Sequence, residues 1–147
     1  MGIKVLFLDI DGVLLSTRSC VAQGGPVDPQ HPTDPSKLDA VALGLVRKLC
    51  FETGARVVIC SSWRERHTRQ ELQEMLELDI LDVTPTLADH SRGHEVLAWL
   101  ERHGNVEKYA IVDDHDDYLA PQQPHLVLTH FEDGLQWAHY KRLIHLL

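Results

Sequence analysis

Hydrophobic side chains occur in short unbroken runs and in longer helical stripes, and the two kinds of segment alternate along the chain. Residues Ile3 to Leu8 form a nearly continuous apolar run that stops at Asp9, the pattern of a strand covered on both faces by helices. Val57 to Cys60 repeats it and ends at Ser61, and Tyr109 to Val112 repeats it again and ends at Asp113. Leu126 to Thr129 predicts a fourth strand, and Ile80 to Val83 a short one before the Thr84, Pro85 turn. Between the runs, Leu38, Val41, Ala42, Leu45 and Leu49 recur at helical spacing. Ser36 stands three residues before Asp39 as in a capping box, and Gly54 supplies a stop. A polar helix is expected from about Glu65 to Glu77. Ser91 opens another, with Val96, Leu97 and Leu100 on its apolar side and Gly104 closing it, and a last one runs from about Gly134 to the end. Alternating strands and helices predict an α/β fold, a three-layer Rossmann-like parallel sheet with helices on both faces. The stretch from about Ser16 to Pro35 is rich in Gly and Pro and is expected to be a flap.

Composition narrows the function classes. The 147 residues fit one domain, 1–147, and 44% hydrophobic with 24% charged residues suffice for a buried core. A formal net charge of -8 argues against a broad basic face for nucleic acid, leaving room for a local patch. The start of the chain lacks a charged leader, and no apolar stretch approaches the ~20 residues of a membrane span, so a cytoplasmic protein is expected. Cys20, Cys50 and Cys60 lack the close pairing of a zinc or redox site, and the ten histidines scatter without ligand spacing.

Three strands end in groups that chemistry can use: Asp9 with Asp11, Ser61, and Asp113 with Asp114. In open parallel sheets the ligand crevice lies at the carboxyl ends of the strands, where these groups should converge. Carboxylates so close repel one another unless protonated or neutralised by a cation. A hard divalent ion such as Mg²⁺ suits oxygen ligands and a phosphate substrate.

The set resembles the haloacid dehalogenase (HAD) superfamily of phosphohydrolases. Its first motif stands as Asp9, Ile10, Asp11, Gly12 after Val5, Leu6, Phe7, Leu8, and its second as Ser61 after Val57, Val58, Ile59, Cys60. Its third, a cation near a helix start, is matched by Arg92, with Lys108 as the competitor, and its fourth by Asp113 and Asp114 after Ala110, Ile111, Val112. Within the superfamily, Ser61, Ser62, Trp63, Arg64 and Arg92, Gly93, His94, Glu95 look like the small phosphatase domains associated with RNA repair.

The resemblance implies a fold with no substantial cap and a Mg²⁺-dependent phosphomonoesterase. Asp9 would be the nucleophile, forming an aspartyl-phosphate, and Asp11 the acid and then the base. Asp9, the carbonyl of Asp11 and Asp113 would hold the metal, while Ser61 and Arg92 grip the phosphoryl oxygens. A cation in a helix's first turn opposes the dipole, a conflict that a bound phosphate would remove. Ser62, Trp63 and Arg64 are candidates for the rim of the crevice, Trp63 to stack on a base and Arg64 to meet a second phosphate; the alternative for Trp63 is packing. Asp114 and Asp117 are candidates to tune the metal, or else part of a solvated acidic loop. An open site suits a nucleic-acid end or a nucleotide. A sugar or nucleotide phosphatase and a silent binding domain on the same fold are the alternatives. A bacterial receiver module has its acidic groups in a different strand order.

Overall fold

In the computed structural model, which describes residues 2–147, the first apolar run is strand β1 (Ile3–Leu8), and its side chains divide between two cores. Leu6 and Leu8 join one hydrophobic cluster, Val5 and Phe7 the other, as strand alternation requires. The remaining strands are β2 (Arg56–Ile59), β3 (Ile80–Val83), β4 (Val106–Asp113) and β5 (Leu126–Leu128). They form one all-parallel sheet in the order β3-β2-β1-β4-β5. β1 is therefore central, with β2 and β4 on either side, and it brings Asp9 between Ser61 and Asp113.

The helices are α1 (Thr17–Ala22), α2 (Ala40–Thr53), α3 (Arg69–Leu76), α4 (Arg92–His103) and α5 (Trp137–Leu146). One core joins β1 to α2, α3 and α5 through Val46, Leu72 and Leu143; the other joins it to α4 through Val96 and Trp99. Trp99 meets Phe7 edge to face with ring centroids 5.4 Å apart, a geometry that adds about 0.5–1.5 kcal/mol to the area buried. The three-layer architecture is that expected, and nothing larger than α1 and the flap stands between β1 and α2. Among the described residues no helix is long and apolar enough to cross a membrane.

Several boundaries differ from the sequence reading. Ser36 does not open α2: it lies in a 3₁₀ turn (Pro35–Lys37) capped by Asp34, and Asp39 caps α2 through the amides of Val41 and Ala42. The buried face is Ala42, Leu43, Val46 and Leu49, and Val41 is 71% exposed. The cap stands three residues beyond Ser36, and the stripe that faces the sheet is turned relative to the one expected. The polar helix begins at Arg69 behind a Thr68–Glu71 capping box, because Ser62–Glu65 is a separate 3₁₀ turn. In α4, Leu97 is exposed, and Glu95 and Trp99 take its place beside Val96 in the core. The flap contains a helix after all, since Ser16 and Ser19 build a capping box around the start of α1.

Candidate active site

Asp9 follows β1 directly, and its amide donates to Val112 O at 3.1 Å, so the carboxyl is carried into the sheet's carboxyl edge beside β4. The chain then turns sharply, with the amides of Val13, Leu14 and Leu15 all directed at Ile10 O. Gly12 is at the turn with φ +81°, and a Cβ there would stand 2.2 Å from the Asp114 carboxyl, so this position requires both glycine's left-handed freedom and its missing side chain. The turn leaves the Asp11 carbonyl without a hydrogen bond among the described residues. It also sets the Asp11 carboxyl at the surface, where it accepts from Trp63 Nε1 at 3.2 Å.

Asp113 is fully buried and heavily partnered. Its Oδ1 accepts from the His115 amide at 3.0 Å; its Oδ2 accepts from Tyr118 Oη at 2.6 Å and from Arg92 Nη1 at 2.9 Å. Burial pushes the Asp113 carboxyl up, but hydrogen bonding to Asp9 and Tyr118 together with the Arg92 charge outweighs it and leaves it low. Burial, followed by the charge of Asp113, pushes Asp9 well above the usual carboxylate range. Burial likewise holds the Tyr118 phenol far above its ordinary value, so it remains a donor to Asp113.

Arg92 Nη1 lies 3.0 Å from Asp9 Oδ1 as well, but its hydrogen bond goes to Asp113. Asp9 Oδ1 is therefore buried with a charge beside it and no hydrogen bond among the described residues, a state that costs about 1–3 kcal/mol when left uncompensated. Arg92 resolves its conflict with the α4 dipole through these two carboxylates, and Asp117 reinforces the helix start by accepting the Arg92 amide at 3.0 Å. Lys108 lies early in β4, opposite Lys4 and far along the strand from Asp113, which excludes it as the cation of this cluster.

Ser61, two residues beyond β2, is fully buried, and its hydroxyl accepts from the Trp63 amide at 3.2 Å, a bond that uses the oxygen and not the proton. Ser62 is exposed beside it. The two residues that follow are not on the rim. Trp63 is 2% exposed, and Arg64 turns back under the chain to donate to Ser61 O at 2.8 Å, Cys60 O at 3.0 Å and Thr84 O at 3.0 Å. Arg64 also pairs with buried Glu95 at 2.9 Å. The reason is the 3₁₀ turn, whose three-residue period stacks Arg64 above Ser61. The expected polymer contact by Arg64 and base stacking by Trp63 are corrected accordingly: one braces the Ser61 loop, the other packs and holds Asp11. Arg66, two residues on, is the exposed cation here, and its charge reaches Asp11.

Sequence reasoning missed Tyr118 and named Glu95 without a role, because each acts by a contact between separate elements. The metal-ligand candidates converge on β1 and β4, and Asp113, Asp114 and His115 bring one ligand atom each to within 4.8 Å of one another. The unpartnered Asp9 Oδ1, the free Asp11 carbonyl and the surplus of carboxylates over cations fit a hard divalent ion held by oxygen.

A family model described as the HAD domain in Swiss Army Knife RNA repair proteins matches residues 5–140. The chain belongs to that family. The match spans this HAD domain from within β1 to within α5, so it includes all the strand ends described above. No curated protein and no solved structure matches the chain.

Proposed function

We propose that this HAD domain is a Mg²⁺-dependent phosphomonoesterase that works through an aspartyl-phosphate and acts on nucleic-acid ends. The observation that carries the chemistry is the buried Asp9 carboxyl, one oxygen without a hydrogen bond, between Ser61 and an Asp113 already engaged by His115, Tyr118 and Arg92. Of the two acids only Asp9 has an oxygen that no hydrogen bond engages, with the Arg92 charge beside it. The substrate class is supported by the family's connection with RNA repair and by the absence of a large cap among the described residues.

In this reading an Asp9 oxygen attacks phosphorus while the bond to the leaving oxygen breaks, and Asp11 gives that oxygen its proton. The Asp11 carboxylate then takes a proton from the water that attacks the same phosphorus, releasing phosphate and restoring Asp9. Partial burial raises the Asp11 carboxyl and the Trp63 hydrogen bond pulls it back, while the indole fixes its direction. Ser61 donates its free proton to a phosphoryl oxygen, and Arg92 exchanges a carboxylate partner for a phosphoryl oxygen as charge spreads over the group. Tyr118 keeps Asp113 in place. Mg²⁺, held by the Asp9 and Asp113 carboxylates and the Asp11 carbonyl with Asp114 beside them, would supply the positive charge that lets nucleophile and phosphate approach.

The test is phosphate release from 5′- and 3′-phosphorylated oligoribonucleotides, nucleotides and sugar phosphates, with Mg²⁺ and with chelator. Asp9→Asn should remove turnover by several orders of magnitude while the fold persists. Asp11→Asn should cost about 10²–10⁴ on a ribose leaving group and less on an activated aryl phosphate. Undiminished hydrolysis by folded Asp9→Asn protein would refute the mechanism, and preference for sugar phosphates would refute the substrate class.

A further inference from the structure

Beside Asp11, Gly12 and Asp114 opens a cavity of about 470 Å³, within the size range of small-molecule sites. Its walls come from the turn after β1, from α1, from the flap and from the segment after β5. They present Leu15, Cys20, Val21, Pro26, Val27 and Phe131. Among the described residues neither Lys nor Arg lines it, so a second phosphate meets no cation there. Two of these side chains are conspicuous in a chain that buries most of its large apolar groups: Val21 is 73% exposed and Phe131 56% exposed.

The aromatic wall is fixed in position relative to Asp11. Thr17 N donates to Phe131 O at 3.1 Å and Arg18 N to Glu132 O at 2.9 Å, which fastens the Phe131 segment to the start of α1. Thr129 Oγ1 donates to Gly12 O at 2.7 Å and Leu135 N to Val13 O at 2.9 Å, which fastens the same segment to the turn that carries Asp11. His130 stacks against Phe131 with centroids 4.8 Å apart and an interplanar angle of 27°. One aromatic face is thus supported from behind on a segment tied at four points.

We infer that this cavity receives the nucleoside part of the leaving group, with its base stacked on Phe131. The inference rests on the phosphatase reading above, because the group attached to the oxygen that Asp11 protonates must continue into the space beside Asp11. A mostly apolar slot bordered by the Asp11 and Asp114 carboxylates repels a further anion and accepts a neutral planar ring. Base stacking on an aromatic side chain is tolerant of base identity, so this site would distinguish nucleosides from sugars and alkyl groups more than it distinguishes one base from another.

The experiment compares Phe131→Ala and Phe131→Trp with the parent on adenosine and uridine monophosphates, on a 3′-phosphorylated oligoribonucleotide, and on glycerol phosphate. In Phe131→Ala the ratio of kcat/KM for ring-bearing over ringless substrate should fall roughly tenfold, and Phe131→Trp should restore it. The oligonucleotide and mononucleotide arms separate a polymer terminus from a free nucleotide as the natural source. A binding measurement uses Mg²⁺-loaded Asp9→Asn protein and 2-aminopurine riboside monophosphate, whose fluorescence is quenched on stacking. Quenching that disappears when Phe131→Ala is added to Asp9→Asn supports the inference. An unchanged substrate ratio, or a probe that stays unquenched, overturns it. Absence of turnover on every substrate with quenching intact would instead count against the phosphatase reading and leave the base site standing.

Discussion

Replacing Arg64 by Ala separates two accounts of this residue, one in which it meets the substrate and one in which it supports the Ser61 loop. Its side chain is 5% exposed, and its partner Glu95 is 8% exposed. The truncation leaves the Glu95 carboxylate buried with only the Leu87 amide, at 2.9 Å, to stabilise it, and strips donors from the carbonyls of Cys60, Ser61 and Thr84. Breaking a buried pair by removing one partner typically costs about 3–5 kcal/mol. For a chain near 150 residues each kcal/mol lowers Tm by roughly 2–4 °C, so a fall on the order of 10 °C is expected. Thermal and urea unfolding of Arg64→Ala, Glu95→Gln and the double variant should show the double recovering part of the loss, since neutralising Glu95 removes the orphaned charge. In kinetics, Arg64→Ala should lower kcat/KM on an oligonucleotide phosphate and on a small aryl phosphate by the same factor. An unchanged Tm accompanied by a loss confined to the oligonucleotide would refute the bracing role and return Arg64 to the substrate.

Three further substitutions probe the loop and its surroundings. Trp63→Phe keeps most of the buried ring but removes the indole donor to Asp11, so kcat on poor leaving groups should drop about tenfold, the size of a hydrogen bond to a charged group, with a smaller loss on an aryl phosphate. Gly12→Ala should lower stability by about 1–3 kcal/mol and reduce activity on every substrate, because the new methyl group meets the Asp114 carboxyl at a left-handed backbone position. Gly44→Ala is the contrasting case: it is inside α2 with nothing within 4 Å of the added carbon, so urea unfolding should show a gain of roughly 0.5–1 kcal/mol.

The sheet was legible because its central strands are covered on both sides and therefore written as unbroken apolar runs. The polar residues that end them were legible for the same reason: Asp9, Ser61 and Asp113 are the first groups released from that constraint. Arg92 could be found from its Ser91 cap. Short-range turn geometry was not legible. The polar helix reads as beginning at about Glu65, and Arg64, directly after Ser61, is then expected on the rim of the crevice, whereas the 3₁₀ turn over Ser62–Glu65 sends it inward. The six-residue α1 has no apolar stripe to announce it, since Val21 points to the surface. Tyr118 and Glu95 acquire their roles only from partners on other elements, and no local pattern encodes such a meeting.

The bond from Thr129 to the carbonyl of Gly12 spans 117 positions of sequence, and β1 lies between β2, some fifty residues further along the chain, and β4, which comes later still. A ribosome delivers Asp9 and Asp11 well before the residues that fasten them. Until β4 emerges the nascent chain holds a central strand with one edge open, a topology that folds slowly and exposes apolar backbone while it waits. Residues made before their partners are thus set in position only after those partners arrive, so the Asp9–Asp11 turn acquires its full set of fastenings only in a chain that has been made through Leu135.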